Sequence, residues 1–398
     1  MKSLEDALTP ADVVAANALT KRWLLSGDDV PAAASGLGVW ALLAVLATGA
    51  VEDTEEELLA ALGIPAERAA AVPAALLDGL RATESIRLAV AAWADATLML
   101  DADWVASLPA DVVGVFTGDA VADEAALDAW AARNTQGLIE KMPLDLDATV
   151  MLVLASALSV RTEWLTTFEN HYDRIAEGPW AHFDRPKLLT AEYCEPVLRV
   201  GANASVLTVP GEDDVDVLLA IGRPDTTPSE VAARLLAAAN DPDWGRAAAD
   251  LAPGGTGPGV RVVETYEAHP QTAPETIAYT AAFEVAADLD LLTDAGALGL
   301  ELASDLDLAR FDRLAAQALY VSQAKQTCVA SFDATGFDAA AVTGFGMAFM
   351  GGLPPEPEQT HRHVKAVVSF DRPFAYLARH RPTGLVLVAG WVAEPALH

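Results

Sequence analysis

Basic residues are scarce in this chain of 398 residues: 25 lysines and arginines stand against 57 aspartates and glutamates, a formal net charge of -32. Such a balance opposes phosphate backbones and anionic lipid, and no Lys/Arg stripe offsets it, so neither nucleic acid nor a membrane is expected as a partner. Cysteine is scarcer still. Cys194 and Cys328 are too few for a disulfide framework and lie in no metal-ligand spacing, so both are expected to be free, buried thiols. No run of about 18 apolar residues is available to span a bilayer. The segment Met1 to Pro10 lacks the basic start, apolar run and cleavage site of an export signal, which makes a cytoplasmic location the expectation and leaves the acceptor-like Asn203-Ala-Ser205 without a role.

Catalytic signatures are missing too. There is no Gly-x-Ser-x-Gly elbow, no His-Glu-x-x-His and no Cys-x-x-Cys, so no enzymatic activity and no cofactor are expected. His361-Arg-His363 sets two imidazoles on one face of a strand without a third or fourth ligand beside them. A solvated strand is therefore expected there, and no metal. The one low-complexity stretch, Pro253 to Gly259, lacks the Lys-Ser/Thr of a phosphate loop and reads as a surface connection.

What the chain does have is core material, 52% of it apolar. Residues 11–24 and 37–50 show helical spacing, and the second segment, with Trp40, Leu42, Leu43, Val45 and Leu46, is apolar nearly all round, as a buried helix is. Thr54-Glu-Glu-Glu57 has the form of a capping box, with the stop of the following helix at Gly63. Val150 to Leu154 is continuous and partly β-branched, which suits a strand covered on both faces. Short alternating runs at Val197–Val200, Ser205–Val209 and Val215–Ile221, parted by Gly and Asp, predict an antiparallel meander.

The most informative stretch runs from Thr327 to Met350. In steps of two from Phe337 it gives Phe337, Ala339, Ala341, Thr343, Phe345, Met347 and Phe349, while the other parity carries Asp338, Ala340, Val342, Gly344, Gly346 and Ala348. One apolar face at period two is what a half-buried strand needs. The Gly and Ala content is too loose for a resident strand, so the segment reads as a loop able to become one.

Gly336-Phe-Asp-Ala-Ala-Ala-Val-Thr343 resembles the hinge of the reactive-centre loop of the serpins, Gly-Thr-Glu-Ala-Ala-Ala-Ala-Thr. Asp371 to Pro395 is similar, nearly residue for residue, to the same family's carboxy-terminal signature: Pro-Phe, Arg-His, Pro-Thr-Gly, Gly and a final Pro. The order Gly49, Thr54, Gly63, the passage Trp130 to Leu154, and Trp164 and Phe168 match the family as well, so the resemblance runs from about residue 16 to 395. A divergent, bacterial-type member of the family is the expectation.

The resemblance implies an α+β fold in a single domain, residues 1–398, with three β-sheets, about eight or nine helices and an exposed reactive-centre loop at about 334–365. It implies a monomeric, metastable inhibitor that a serine protease attacks as a substrate. The cut loop would then enter the large sheet as a new strand and hold the protease as a covalent acyl complex. Inserting about 15 residues at roughly 3.3 Å each carries the tethered protease some 50 Å. The resemblance puts the hinge at Gly336, Phe337, Asp338, Ala339, Ala340, Ala341, Val342 and Thr343. The family's fixed hinge-to-bond length, counted from Gly336, puts the reactive bond between Met350 and Gly351, with Phe349-Met350 or Phe345 as the alternatives if the register slips. Met350 suits the apolar primary pocket of chymotrypsin-, elastase- or subtilisin-like proteases. A buried shutter beneath the opening sheet falls on Gly38, Ser156 and Gln326, where the family has Ser, Asn and His. Other departures are Phe337 for a smaller Thr, Ala334 for Glu, Ser35-Gly36 for Ser-Pro, and a longer segment, Gly351 to Lys365, after the bond. The alternative is a non-inhibitory binding or structural protein of the same fold.

Overall fold

The computed structural model describes residues 3–80, 83, 85–109, 112–135, 137, 139–144, 152–171, 174–338 and 360–398. Among them are nine α-helices and three sheets. Helix α1 is Leu4–Ala7, α2 Pro10–Leu24, α3 Gly36–Gly49, α4 Glu52–Leu62, α5 Ala66–Leu80, α6 Ala102–Ser107, α7 Ala120–Asn134, α8 Pro228–Asn240 and α9 Ala295–Leu298.

Local chemistry explains how these helices begin. Thr9 and Asp12 form a reciprocal capping box at the start of α2, and Pro10 occupies the first turn, where its missing N–H costs nothing. Asp12 also takes Arg68 at 2.6 Å. Burial works to raise the Asp12 carboxyl, but the hydrogen bonds from Arg68 and Thr9 outweigh it, and the net direction is down. The expected box at α4 is not there. That helix starts three residues earlier, after Val51, without a side-chain cap. The Thr54 hydroxyl instead accepts from the Arg310 amide, and Glu57 accepts from the amides of Glu301 and Leu302. Distant orphan amides have replaced the local ones as partners. The helix does stop at Gly63, in the left-handed region at φ 69°.

The large sheet comprises β1 (Ile86–Asp95), β2 (Val113–Phe116), β3 (Leu152–Val160), β4 (Thr162–Glu163), β14 (Phe283–Asp290), β15 (Gln323–Phe332) and β16 (Gly336–Asp338), in the order β2-β1-β3-β15-β16-β4, with β14 on the outer edge of β15. The second comprises β7 (Leu198–Val200), β8 (Ala204–Pro210), β9 (Val215–Gly222), β10 (Arg246–Ala247), β18 (Phe374–His380) and β19 (Leu385–Val392), ordered β10-β7-β8-β9-β18-β19. The third comprises β5 (Glu169–His171), β6 (Leu188–Tyr193), β11 (Thr256–Gly257), β12 (Val260–Glu267), β13 (Glu275–Ala281) and β17 (His361–Ser369), ordered β11-β12-β17-β13-β6-β5. The expected meander is β7-β8-β9, antiparallel throughout.

Every residue of β3 is buried, because one face joins the main core and the other a smaller cluster with Leu127 and Trp130 of α7. Helix α3 lies at the centre and touches α2, α4, α5, β1, β3 and β19, which is why it needs no polar face. Of the two thiols, Cys328 is buried but Cys194 is exposed, contrary to expectation. Cys194 follows β6 on the parity of exposed Glu192, and buried Ala191 and Tyr193 take the opposite face.

Candidate functional site

The large sheet contains a slot. Strands β3 and β15 pair directly, in parallel, only from Val153↔Gln323 to Ala157↔Thr327. Beyond that point they diverge, and β16 lies between β15 and β4: Phe337 pairs with Phe332 on one side and Thr162 on the other. No described residue pairs with the facing edges of β3 at 158–160 or of β15 at 328–330. Both edges belong to a sheet interior, where backbone donors and acceptors ordinarily have partners.

The mouth of the slot is fastened by a tight turn. Asp333 Oδ1 accepts from the amides of Thr335, at 2.7 Å, and Gly336, at 3.0 Å. Trp164 Nε1 donates to the Asp333 carbonyl at 2.9 Å, and the Phe168 amide donates to the Ala334 carbonyl at 2.8 Å. Trp164 and Phe168 also pack on Phe332, with ring centroids 4.7 and 5.3 Å away. Gly336 is required here for closeness of approach, since a methyl at its Cα would run into the Thr162 carbonyl oxygen. Phe337 is only 1% exposed and lies 6.2 Å from the Tyr376 ring. The cavity accepts the larger side chain where a smaller one was expected.

Directly below, a hydrogen-bonded cluster spans the point where β3 and β15 meet. Gln326 Nε2 on β15 donates to the Ser156 hydroxyl on β3 at 3.1 Å and to the Ser35 carbonyl at 2.9 Å, while its Oε1 accepts from the Ser35 amide at 2.8 Å. The Cys328 thiol donates to the same Oε1 at 3.2 Å. Ser35 caps α3 through Gly38 and donates its hydroxyl to Leu387 of β19, so this latch ties the large sheet to α3 and to the second sheet. Gly38 makes room for it: a Cβ there would lie 3.0 Å from both Gln326 Nε2 and Ser156 Oγ. Burial pushes the Cys328 thiol up to about 12, which leaves it protonated and unreactive.

The family model for Serpin (serine protease inhibitor) matches residues 16–177 and 272–395. The chain belongs to the serpin family. Solved structures agree in fold. The native state of tengpin, a thermophilic serpin, is 18% identical with a TM-score of 0.71, over 96% of this chain and 94% of that one. Thyroxine-binding globulin in complex with thyroxine is 18% identical, with a TM-score of 0.69 over 97% and 98%. Serpin48, a highly specific serpin of the insect Tenebrio molitor, is 17% identical, with a TM-score of 0.66 over 96% and 97%. No curated protein matches the sequence. The internal stretch that the family model does not match, 178–271, is where this serpin places β6 to β12 and α8.

Of the residues singled out from the sequence, the serpin's described structure brings Gly38, Ser156 and Gln326 together as the latch and places Gly336, Phe337 and the backbone of Asp338 in the slot mouth. Ala339, Ala340, Ala341, Val342, Thr343, Met350 and Gly351 lie outside the described residues. The reading from sequence missed Ser35 and Cys328 as latch members and Asp333 as the organiser of the turn. Asp three residues ahead of Gly was a legible turn signal, whereas nothing local marks a serine as meeting a glutamine 291 residues away.

The strand after the loop departs from expectation. His361 and Arg362 are exposed, but His363 is buried, so β17 is not simply solvated. His363, Glu267 and Glu275 bring ligand atoms within 4.8 Å of one another. The Lys365 ammonium, 2.6 Å from Glu267 and 3.0 Å from Glu275, already sets a positive charge against those carboxylates, and its repulsion disfavours a divalent ion among them.

Proposed function

We propose that this serpin is a suicide-substrate inhibitor of serine proteases, consumed when its loop is cut between Met350 and Gly351 and the amino-terminal arm enters the slot. The observation that carries the reading is the register of β16. Continued along β15, the pairing Phe337↔Phe332 sets Ala339 against Ala330, Ala341 against Cys328, Thr343 against Gln326 and Phe345 against Ala324, all of which β15 buries. Continued from Thr162, it sets Ala339 against Val160, Ala341 against Leu158 and Thr343 against Ser156. The apolar parity read from the sequence is thus the one aimed at the core, from both sides. Small side chains at 339 and 341 enter without overpacking, and Thr343 arrives at the latch with a hydroxyl to offer to Ser156 and Gln326.

The energetics follow. Each residue inserted above the latch meets strand edges on both sides and adds ladder hydrogen bonds while burying alternate side chains. Below the latch, insertion must first part the β3–β15 ladder and the Ser156–Gln326 bond, exchanging one ladder for two. The uncut loop, held at both ends, makes that exchange slowly, and cutting it removes the far anchor. An acyl-enzyme attached to the cut end is carried along the sheet, and distortion of its oxyanion hole stalls deacylation.

Unbranched Met350 suits an apolar primary pocket and not one built around an Asp. Incubation with chymotrypsin, pancreatic elastase, subtilisin and trypsin, followed by denaturing electrophoresis, tests the reading. A complex that survives with one of the first three and not with trypsin supports it, and mass spectrometry of the released peptide locates the bond. Cleavage by all four without any surviving complex favours a non-inhibitory binding serpin.

A further inference from the structure

Strand β17, which follows the loop, is secured differently along its two halves. From Ala366 to Val368 its side chains are buried and nonpolar, whereas its first five residues are His361, Arg362, His363, Val364 and Lys365. The pairing with β13 begins only at Lys365↔Glu275. Residues 361–364 are laddered to β12 alone among the described strands. A strand end held along one edge opens easily unless side chains hold it.

At Val364 the open edge is met by Gln271, whose Nε2 donates to the Val364 carbonyl at 2.9 Å and whose Oε1 accepts from its amide at 3.0 Å; the other side chains that hold this end are charged. His363 Nδ1 lies 2.8 Å from Glu275 Oε1 on β13 and 3.6 Å from Glu267 Oε2 on β12, and its Nε2 lies 2.6 Å from the His269 carbonyl oxygen. Both ring nitrogens therefore face groups that only accept, an arrangement that a neutral imidazole, with one N–H, cannot satisfy. Lys365 Nζ bridges the same two carboxylates and Glu192 of β6, at 2.6, 3.0 and 2.7 Å. With a carboxylate oxygen beside one ring nitrogen and a carbonyl oxygen beside the other, His363 satisfies both contacts only when both of its nitrogens carry a proton. Arg362 and Glu264 pair at 2.8 Å, and His361 is exposed.

We propose that His363 acts as a proton-operated clamp, whose imidazolium fastens the first half of β17 to β12 and β13 and whose deprotonation releases it. Without the proton, one ring nitrogen turns a lone pair towards Glu275 or towards the His269 carbonyl, and Lys365 is left alone to balance three carboxylates. The His269 carbonyl and Glu275, aided by the charge of Glu267, hold the His363 pKa above its ordinary 6.5 against the opposing effect of burial. A pKa raised by folding contributes stability that is complete below the unfolded value and lost as pH rises through the folded one. The clamp is thus closed at mildly acidic pH and opens on the alkaline side. If the loop works as proposed above, opening adds slack at its far anchor and shortens the life of the uncut inhibitor. That consequence rests on the proposed function, but the clamp does not.

Hydrogen exchange of the intact protein at about pH 6 and about pH 9, corrected for intrinsic exchange, tests the clamp. Protection of a peptide covering 360–366 is expected to fall about tenfold or more between the two, while one covering 374–380 in β18 stays level. His363→Gln, which cannot carry the charge, is expected to exchange fast at both. Equal protection of 360–366 at both pH values in the unaltered protein overturns the proposal. Should the variant fail to fold, NMR titration of the His363 imidazole in the unaltered protein decides: a midpoint above 6.5 supports the clamp, and one at or below it overturns it. Neither readout uses a protease or a cut loop, so this proposal and the inhibitory reading fail separately.

Discussion

In the second sheet, β9 is laddered to β8 from Ala204↔Gly222 to Pro210↔Asp216 and to β18 from Ala375↔Ala220 to His380↔Val215. In the large sheet, β15 is laddered to β14 from Lys325 to Phe332, yet to β3 over five residues only. The two sheets share similar apolar residues and a common core, but one is complete among the described strands and the other is held part-way open. The difference teaches that burial of side chains and satisfaction of the backbone are separate requirements. The large sheet meets the first with Phe332, Phe283 and Tyr376 packed beneath it, rings 4.9 to 5.5 Å apart, and leaves the second unmet by any described strand along 158–160 and 328–330.

The largest expected effect sharpens this contrast directly. A single cut within 339–359 should raise the thermal midpoint by roughly tens of degrees, because it completes the large sheet; calorimetry before and after limited proteolysis measures it. An unchanged midpoint would remove the basis for insertion. Next, Ala341→Glu should abolish most of that rise, since a charge buried opposite Cys328 costs several kcal/mol, on the order of 3–5. Ala340→Glu, on the parity of half-buried Val329, should largely spare it. The same calorimetry on the two cut variants distinguishes them, and equal behaviour would mean that the register does not continue.

In the complete sheet, Phe374→Ala removes a ring that is fully buried against Trp180, Phe283 and Phe370. It should cost about 3–5 kcal/mol in denaturant unfolding, to a similar extent in cut and uncut protein. At the junction of the sheets, Gly38→Ala should cost about 1–3 kcal/mol by pushing Gln326 and Ser156 apart, and it should also speed cut-loop insertion, which stopped-flow fluorescence follows. The smallest effect lies away from both sheets. The Asp12 carboxyl is held below its ordinary 3.8, so the stability it adds is present above that value and lost as pH falls through the depressed one. Urea midpoints at about pH 5 and about pH 3 should fall further apart in the unaltered protein than in Asp12→Asn.

Much of this was legible beforehand because it is local. Helices α2 and α3, the stop at Gly63 and the meander β7-β8-β9 follow from periodicity and from caps whose partners lie a few residues away. The alternation from Phe337 onwards is equally local, and the register of β16 agrees with it at Phe337. The failures share a cause. Thr54 had the spacing of a capping box but serves an amide 256 residues away. His363 sat in a polar run, yet carboxylates from two neighbouring strands enclose it. Cys194 lies just past the strand parity that would have buried it.

Amino-acid order alone, then, settles which segments wind or extend, which face of each is apolar, and that 336–349 is built to alternate, because those properties arise between residues close along the chain. Only the folded molecule decides that Gly38 and Gln326 fit each other, that Gly336 must lie against a carbonyl, that β3 and β15 part where they do, and that His363 is enclosed by carboxylates. Each of these depends on which distant groups become neighbours, and a hydrogen bond or a steric limit does not exist until both partners are in place.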